Sequence, residues 1–183
     1  MPVPGRLAER SREVQLVIVD VDGVLTDGVL LYGPEGETLK AFHARDGLGL
    51  KLLMREGIAV AVISGRRCAA LERRLADLRI ERAYLGCEDK AGALAELLSE
   101  VGCTAAQALH IGDDLPDLAV FERVGIGVAV ADAHPRVQEA ADWVLETRGG
   151  QGAAREMADA LLAARGRLEP AIQSYLSGVR GAG

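Results

Sequence analysis

Short apolar runs rich in β-branched residues alternate with helix-length segments along almost the whole chain, and that alternation is the strongest constraint on its fold. The run at 14–20 (VQLVIVD) reads as a buried strand, and 59–63 as a second. Shorter strands are expected at 82–85, 108–112, 126–130 and 143–145. Between them, helices are expected at 46–56, 66–78, 89–101, 114–124 and 152–164. Asp46 is a possible cap for the first of these, and Gly57 and Gly102 are stop signals. Strands separated by helices form a parallel sheet covered on both faces, so the expected class is α/β, a doubly wound parallel sheet. One insertion breaks the rhythm. Residues 28–32 and 37–43 flank Gly-Pro-Glu-Gly, a hairpin signal. The segment 166–183 carries little pattern and reads as a tail. The whole chain, 1–183, is expected to be one domain.

Composition removes several classes of function. The net charge of −6 argues against a nucleic-acid binder working through a basic surface. No apolar run approaches the roughly 20 residues of a membrane span, and residues 1–12 contain no apolar signal core. Cys68, Cys87 and Cys103 have no metal-type spacing and read as free thiols, which points to the cytoplasm.

In doubly wound sheets ligands bind at the carboxyl ends of the strands. Here the first strand ends in Asp20-Val21-Asp22-Gly23, the second in Ser64-Gly65-Arg66, and the strand at 108–112 in Gly112-Asp113-Asp114, with Asp117 following; Lys90 opens the helix after the third strand. Asp20 and Asp22, two apart in extended chain, point to one side. Crowded carboxylates repel, and a hard divalent cation relieves that cost; all-oxygen ligation suits Mg²⁺. Ser64 and Lys90 are then surplus to the metal and suit an anionic ligand, and a phosphoryl group beside Mg²⁺ fits both facts. Taken singly, each motif has a plain structural reading as a turn, a cap or a solvated lysine. Their joint placement on one sheet edge favours chemistry. Gly125-Ile-Gly127 lacks the third glycine of a dinucleotide turn, since Val130 stands there, and reads as a packing feature. His110, inside an apolar strand, reads as a satisfied core histidine, and His134 lies in a loop before Pro135.

The segments Asp20-Val-Asp-Gly-Val-Leu-Thr-Asp27, Ser64-Gly-Arg66, Gly86-x-x-x-Lys90 and Gly112-Asp-Asp-x-x-Asp117 resemble the four motifs of the haloacid dehalogenase-like phosphatases. Residues 42–47 (FHARDG), 128–135 (VAVADAHP) and 149–156 (GGQGAARE) resemble, more narrowly, the branch that dephosphorylates an eight-carbon sugar acid. The resemblance implies a Rossmann-like sheet without a cap domain, the hairpin 28–43 being its only flap. It also implies a small-molecule phosphorylated sugar acid as substrate, neither nucleic acid nor membrane as partner, and a homotetramer with hairpins packed together and the tail reaching a neighbour's site. Asp20 would be the nucleophile and Asp22 the acid, then base. Mg²⁺ would sit on Asp20, the Asp22 carbonyl and Asp113, with Asp114 or Asp117 behind. Ser64 and Lys90 would bind the phosphoryl oxygens. Gly65, Arg66, Arg45 and Arg155 are candidates for substrate binding, since the arginine fork suits phosphate and carboxylate. Other readings are a nine-carbon sialic-type acid 9-phosphate as substrate, a silent assembly module, or a phospho-accepting receiver. The last is disfavoured because Ser64 stands where a receiver carries its acceptor Asp.

Overall fold

The computed structural model describes residues 2–180. A short helix α1 (Ala8–Glu13) leads into β1 (Leu16–Val19), and β2 (Leu31–Gly33) and β3 (Gly36–Leu39) form the hairpin. The chain continues through α2 (Ala44–Arg55), β4 (Ala59–Ser64), α3 (Ala69–Leu78), β5 (Arg82–Leu85), α4 (Lys90–Val101) and β6 (Ala108–Gly112). It ends with α5 (Leu118–Phe121), β7 (Ile126–Ala129), α6 (Pro135–Ala140), β8 (Trp143–Val144), α7 (Ala153–Ala164) and α8 (Leu168–Arg180).

Six strands form one sheet in the order β5-β4-β1-β6-β7-β8, every pair parallel. β1 is buried on both faces. Its alternating side chains divide between two cores, as the period of a strand requires. Val17 and Val19 join Leu50, Leu53, Met157 and Leu161 from α2 and α7. Leu16 and Ile18 join Leu94, Leu97 and Val120 from α4 and α5. Strand order reverses at β1, which has β4 on one side and β6 on the other. A crevice therefore opens beyond the carboxyl end of β1, where such sheets bind ligands.

Several elements differ from the sequence reading, each for a local reason. The expected helix at 66–78 starts only at Ala69, because the Ser64 hydroxyl accepts the Arg66 amide at 3.2 Å and holds a turn there. The expected helix at 114–124 is a 3₁₀ turn, Leu115–Asp117, followed by the single turn α5, since Asp114 caps the Leu115 amide and Asp117 reaches back to the preceding amides. Asp46 does not cap α2. It lies inside that helix, buried, and accepts the Arg155 amide at 2.8 Å, tying α2 to the start of α7. His134 is the N-cap of α6, accepting the Arg136 amide through Nδ1. Gly127 lies against the Phe121 ring, as expected of a packing glycine.

The tail forms a structure too. α8 seats Ala171 in the core, places Tyr175 under the Arg55 guanidinium at 5.2 Å, and is preceded by an Arg167–Glu56 ion pair at 2.7 Å. The part of the tail beyond residue 180 lies outside the described residues. No helix among the described residues is long and apolar enough to cross a membrane.

Candidate active site

The loop that leaves β1 is wound around one carbonyl. Val21 accepts the amides of Val24, Leu25 and Thr26, and the Thr26 hydroxyl donates to the same carbonyl while accepting the Gly23 and Gly28 amides. Gly23 sits at φ +89°, and a Cβ there would strike the Asp113 carboxylate. Gly149 packs against the Gly23 carbonyl with no room for a side chain, and the Gly150 amide bonds the Val24 carbonyl. The glycine pair at 149–150 therefore buttresses the Asp20–Asp22 loop from behind.

Asp20, 6% exposed, projects from the end of β1. Its Oδ1 takes the Lys90 ammonium at 2.7 Å, and Lys90 also reaches Asp117 Oδ1 at 2.7 Å. Asp117 is saturated. His110 Nε2 lies 2.9 Å from the same Oδ1, and the Asp113 and Asp114 amides donate to Oδ2. His110 is thus buried in the strand, as the sequence suggested, with its two ring nitrogens beside the Ile18 carbonyl and a carboxylate of the site. Ser64, Gly65, Arg66, Asp22, Asp113 and Asp114 line the same cleft, of about 530 Å³. The structure brings these residues together and leaves two others apart. Arg45 is exposed in the first turn of α2, and the Arg155 guanidinium is held by Asp159 on its own helix; neither lines the cleft.

Two residues of the site escaped the sequence reading. Lys40, at the hairpin exit, bonds Asp22, and Glu37 bridges Lys40 to Arg66. No local pattern in the sequence announces a pairing across 18 residues.

The electrostatics favour a cation. Carboxylate oxygens of Asp20, Asp113 and Asp117 lie within 4.8 Å of one another. With Asp117 committed to its four donors, Asp20 and Asp113 are the side chains left to ligate, and among the described residues no donor bonds the Asp113 carboxylate. Burial, then the charges of Asp20, Asp117 and Asp114, pushes Asp113 up to about 8. Burial and the Asp117 charge raise Asp20 as well, against the pull of Lys90. For Asp117, burial is outweighed by the His110 hydrogen bond and charge and by Lys90, so it stays below the usual carboxylate range.

A pH dependence follows. Asp20 and Asp113 bind protons more tightly folded than unfolded, so the cation-free protein loses stability as pH rises from the ordinary carboxylate value of 3.8 to about 8. In chelator, the melting temperature should fall between about pH 5 and pH 8. Excess Mg²⁺ should flatten or reverse that fall, because the cation takes the place of the protons. A melting temperature in chelator that climbs across this window would contradict the assignment.

A doubly wound sheet with clustered carboxylates, a hydroxyl and a buried lysine at its switch point defines a haloacid dehalogenase-like hydrolase, and the model of that family matches residues 88–157. The chain is 46% identical to the 3-deoxy-D-manno-octulosonate 8-phosphate phosphatase of Haemophilus influenzae, over 97% of this chain and 99% of that one. It is 45% identical to the Yersinia pestis phosphatase of the same name, over 93% and 91%. Among solved structures, the Moraxella catarrhalis phosphatase in complex with magnesium, phosphate and KDO is similar at a TM-score of 0.90 and 34% identity, over 94% of this chain and 99% of that one. The chain belongs to the 3-deoxy-D-manno-octulosonate 8-phosphate phosphatase family.

Proposed function

We propose that the chain is a Mg²⁺-dependent phosphomonoesterase that hydrolyses 3-deoxy-D-manno-octulosonate 8-phosphate to the free sugar acid and phosphate, a step in making the lipopolysaccharide precursor. The observation that carries this reading is the placement of Asp20: at the end of the central strand, with Lys90 on one oxygen and Asp22, Ser64 and Asp113 lining the same cleft. The near full-length likeness to phosphatases of that name supplies the substrate.

The roles follow from position. The free oxygen of Asp20 attacks phosphorus, the bond from phosphorus to the sugar oxygen breaks, and Asp22 gives that oxygen a proton. Asp22, now a carboxylate, takes a proton from water. The water oxygen attacks phosphorus and releases the Asp20 carboxylate with inorganic phosphate. Two easier displacements replace one difficult one, and a single carboxyl serves as acid and then as base. Ser64 and Lys90 hold the phosphoryl oxygens as charge redistributes. Gly65 and Arg66 line the mouth where the rest of the substrate must lie. Asp20, the Asp22 carbonyl and Asp113 would hold Mg²⁺, which when bound offsets the negative charge of the carboxylates and of the phosphoryl group. Asp117 orients Lys90, and Asp114 caps the following turn. The test is phosphate release from a panel of phosphorylated sugar acids, the nine-carbon 9-phosphates included, with Mg²⁺ and with chelator. Mg²⁺-dependent release, fastest from the eight-carbon acid, supports the reading; preference for a nine-carbon acid would overturn the substrate assignment.

The same reading includes a homotetramer in the cytoplasm. Val29 (58% exposed), Tyr32 (65%) and Leu39 (64%) leave apolar hairpin surface uncovered, and among the described residues no cap domain seals the cleft. Exposed apolar patches of this kind mark association surfaces. The three cysteines are free thiols, which suits a reducing compartment. Placing charge on that face with Val29→Glu and Leu39→Glu should convert a tetramer to smaller species in light-scattering measurements. A mass unchanged by both substitutions would contradict the packing.

A further inference from the structure

Four charged side chains alternate in sign from Asp22 in the cleft, through Lys40 and Glu37 of the hairpin, to Arg66 after β4. Asp22 Oδ1 bonds the Lys40 ammonium, and Lys40 lies 2.6 Å from Glu37 Oε1. Glu37 Oε2 takes Nε and a terminal nitrogen of Arg66 at 3.2 and 3.1 Å. Tyr32 Oη accepts from Arg66 at 2.6 Å. The middle of the chain is covered by its neighbours, the side chains of Lys40 and Glu37 being 1% and 8% exposed, while Arg66 is 37% exposed at the mouth. Ammonium and carboxylate groups shielded from water interact more strongly than fully solvated ones, and the loss of one neighbour redistributes the others.

This arrangement bears on the reaction just proposed, and the inference rests on that reading. Asp22 must present a proton to the leaving oxygen, yet its Oδ1 is occupied by Lys40. Arg66, whose fork matches a planar carboxylate, is occupied by Glu37. The proposed substrate carries a carboxylate of its own. When that carboxylate engages Arg66, Glu37 loses its outer cation, and its charge is then balanced by Lys40 alone. Lys40 is drawn toward Glu37 and away from Asp22. We propose that Glu37 and Lys40 are positioning residues that make turnover depend on a carboxylate in the substrate, with Glu37 standing in for that carboxylate in the free protein.

The two residues should act in opposite ways, which separates this role from a structural one. The test compares the sugar-acid phosphate with the same phosphate ester whose carboxyl has been reduced to the alcohol. Lys40→Met releases Asp22 permanently, so kcat on the reduced ester should rise about tenfold, within the usual range of coupling between sites. Lys40→Gln repeats the measurement with a polar side chain. Glu37→Gln removes the group that draws Lys40 away, so kcat on the sugar acid should fall about tenfold toward that on the reduced ester. In the Lys40→Met background, Glu37→Gln should leave kcat unchanged, because nothing remains for Glu37 to move. Parallel losses on both esters in the single variants, or a Glu37→Gln effect on kcat that persists without Lys40, would overturn the relay. Failure of the unsubstituted protein to hydrolyse either ester would instead overturn the phosphatase reading beneath it.

Discussion

Asp20→Asn should abolish turnover, lowering kcat by on the order of 10⁴-fold or more, the scale of loss when a nucleophile is removed. The amide keeps the volume, and its oxygen can still accept from Lys90, so the fold should survive. Burial and the nearby charge of Asp117 already disfavour the Asp20 carboxylate. A neutral amide relieves that cost, and without a cation the variant should melt at the same temperature as the parent or higher near pH 8. Mg²⁺ should stabilise it less. Steady-state phosphate release alone does not separate a lost nucleophile from a collapsed site, so the melting comparison belongs with it. Substantial turnover in a folded Asp20→Asn protein would contradict the assignment.

Lys90→Met should cost both activity and stability. Lys90 is 6% exposed and is the cation shared by two buried carboxylates. Methionine fills the space of the stem but leaves Asp20 and Asp117 facing each other without it. Removing one partner of a buried ionic cluster typically costs roughly 3–5 kcal/mol, and kcat should fall on the order of 10³-fold with the phosphoryl contact gone. The loss should be smaller when stability is measured with Mg²⁺ present, since the cation offsets part of the same charge. His110 still holds Asp117, so the damage should concentrate at Asp20. Urea unfolding with and without Mg²⁺, beside single-turnover kinetics, reads both effects. A stability unchanged in chelator would show that the lysine is not balancing these acids.

Much of the site is legible in the sequence because its residues occupy one structural position repeated along the chain, the carboxyl end of a parallel strand. Ser64 closes β4, Asp20 and Asp113 follow the adjacent β1 and β6, and Lys90 opens the helix beyond a fourth strand, so strand prediction alone brings them to one edge. The residues that stayed hidden reach the site by other routes. Lys40 and Glu37 arrive only because the hairpin folds back over Asp22 and Arg66, a contact that no periodicity encodes. His110 is legible as a buried histidine, but its bond to Asp117 depends on the 3₁₀ turn that replaces a regular helix after β6. α8 was hidden by its composition: Pro170, Gly178 and scattered polar residues mask an amphipathic face that seats Ala171 and Tyr175 on the body of the protein. Arg45 and Arg155 fall within family-like segments of the sequence, whereas in space one faces solvent and the other pairs along its own helix.

The central claim is that Asp20 is transiently phosphorylated. Its most direct test is rapid acid quenching of Asp22→Asn during turnover of the sugar-acid phosphate with Mg²⁺, followed by peptide mass spectrometry. Asp22 serves both steps, so this variant slows both; losing the base that activates water holds back breakdown of the intermediate, which should therefore be caught in the quench. The expected result is one phosphoryl group per chain, on the peptide containing Asp20, and none when Asp20→Asn is added. Product formed over a full turnover with no phosphoryl group on the protein at any time, or with that group on a different residue, would contradict the account.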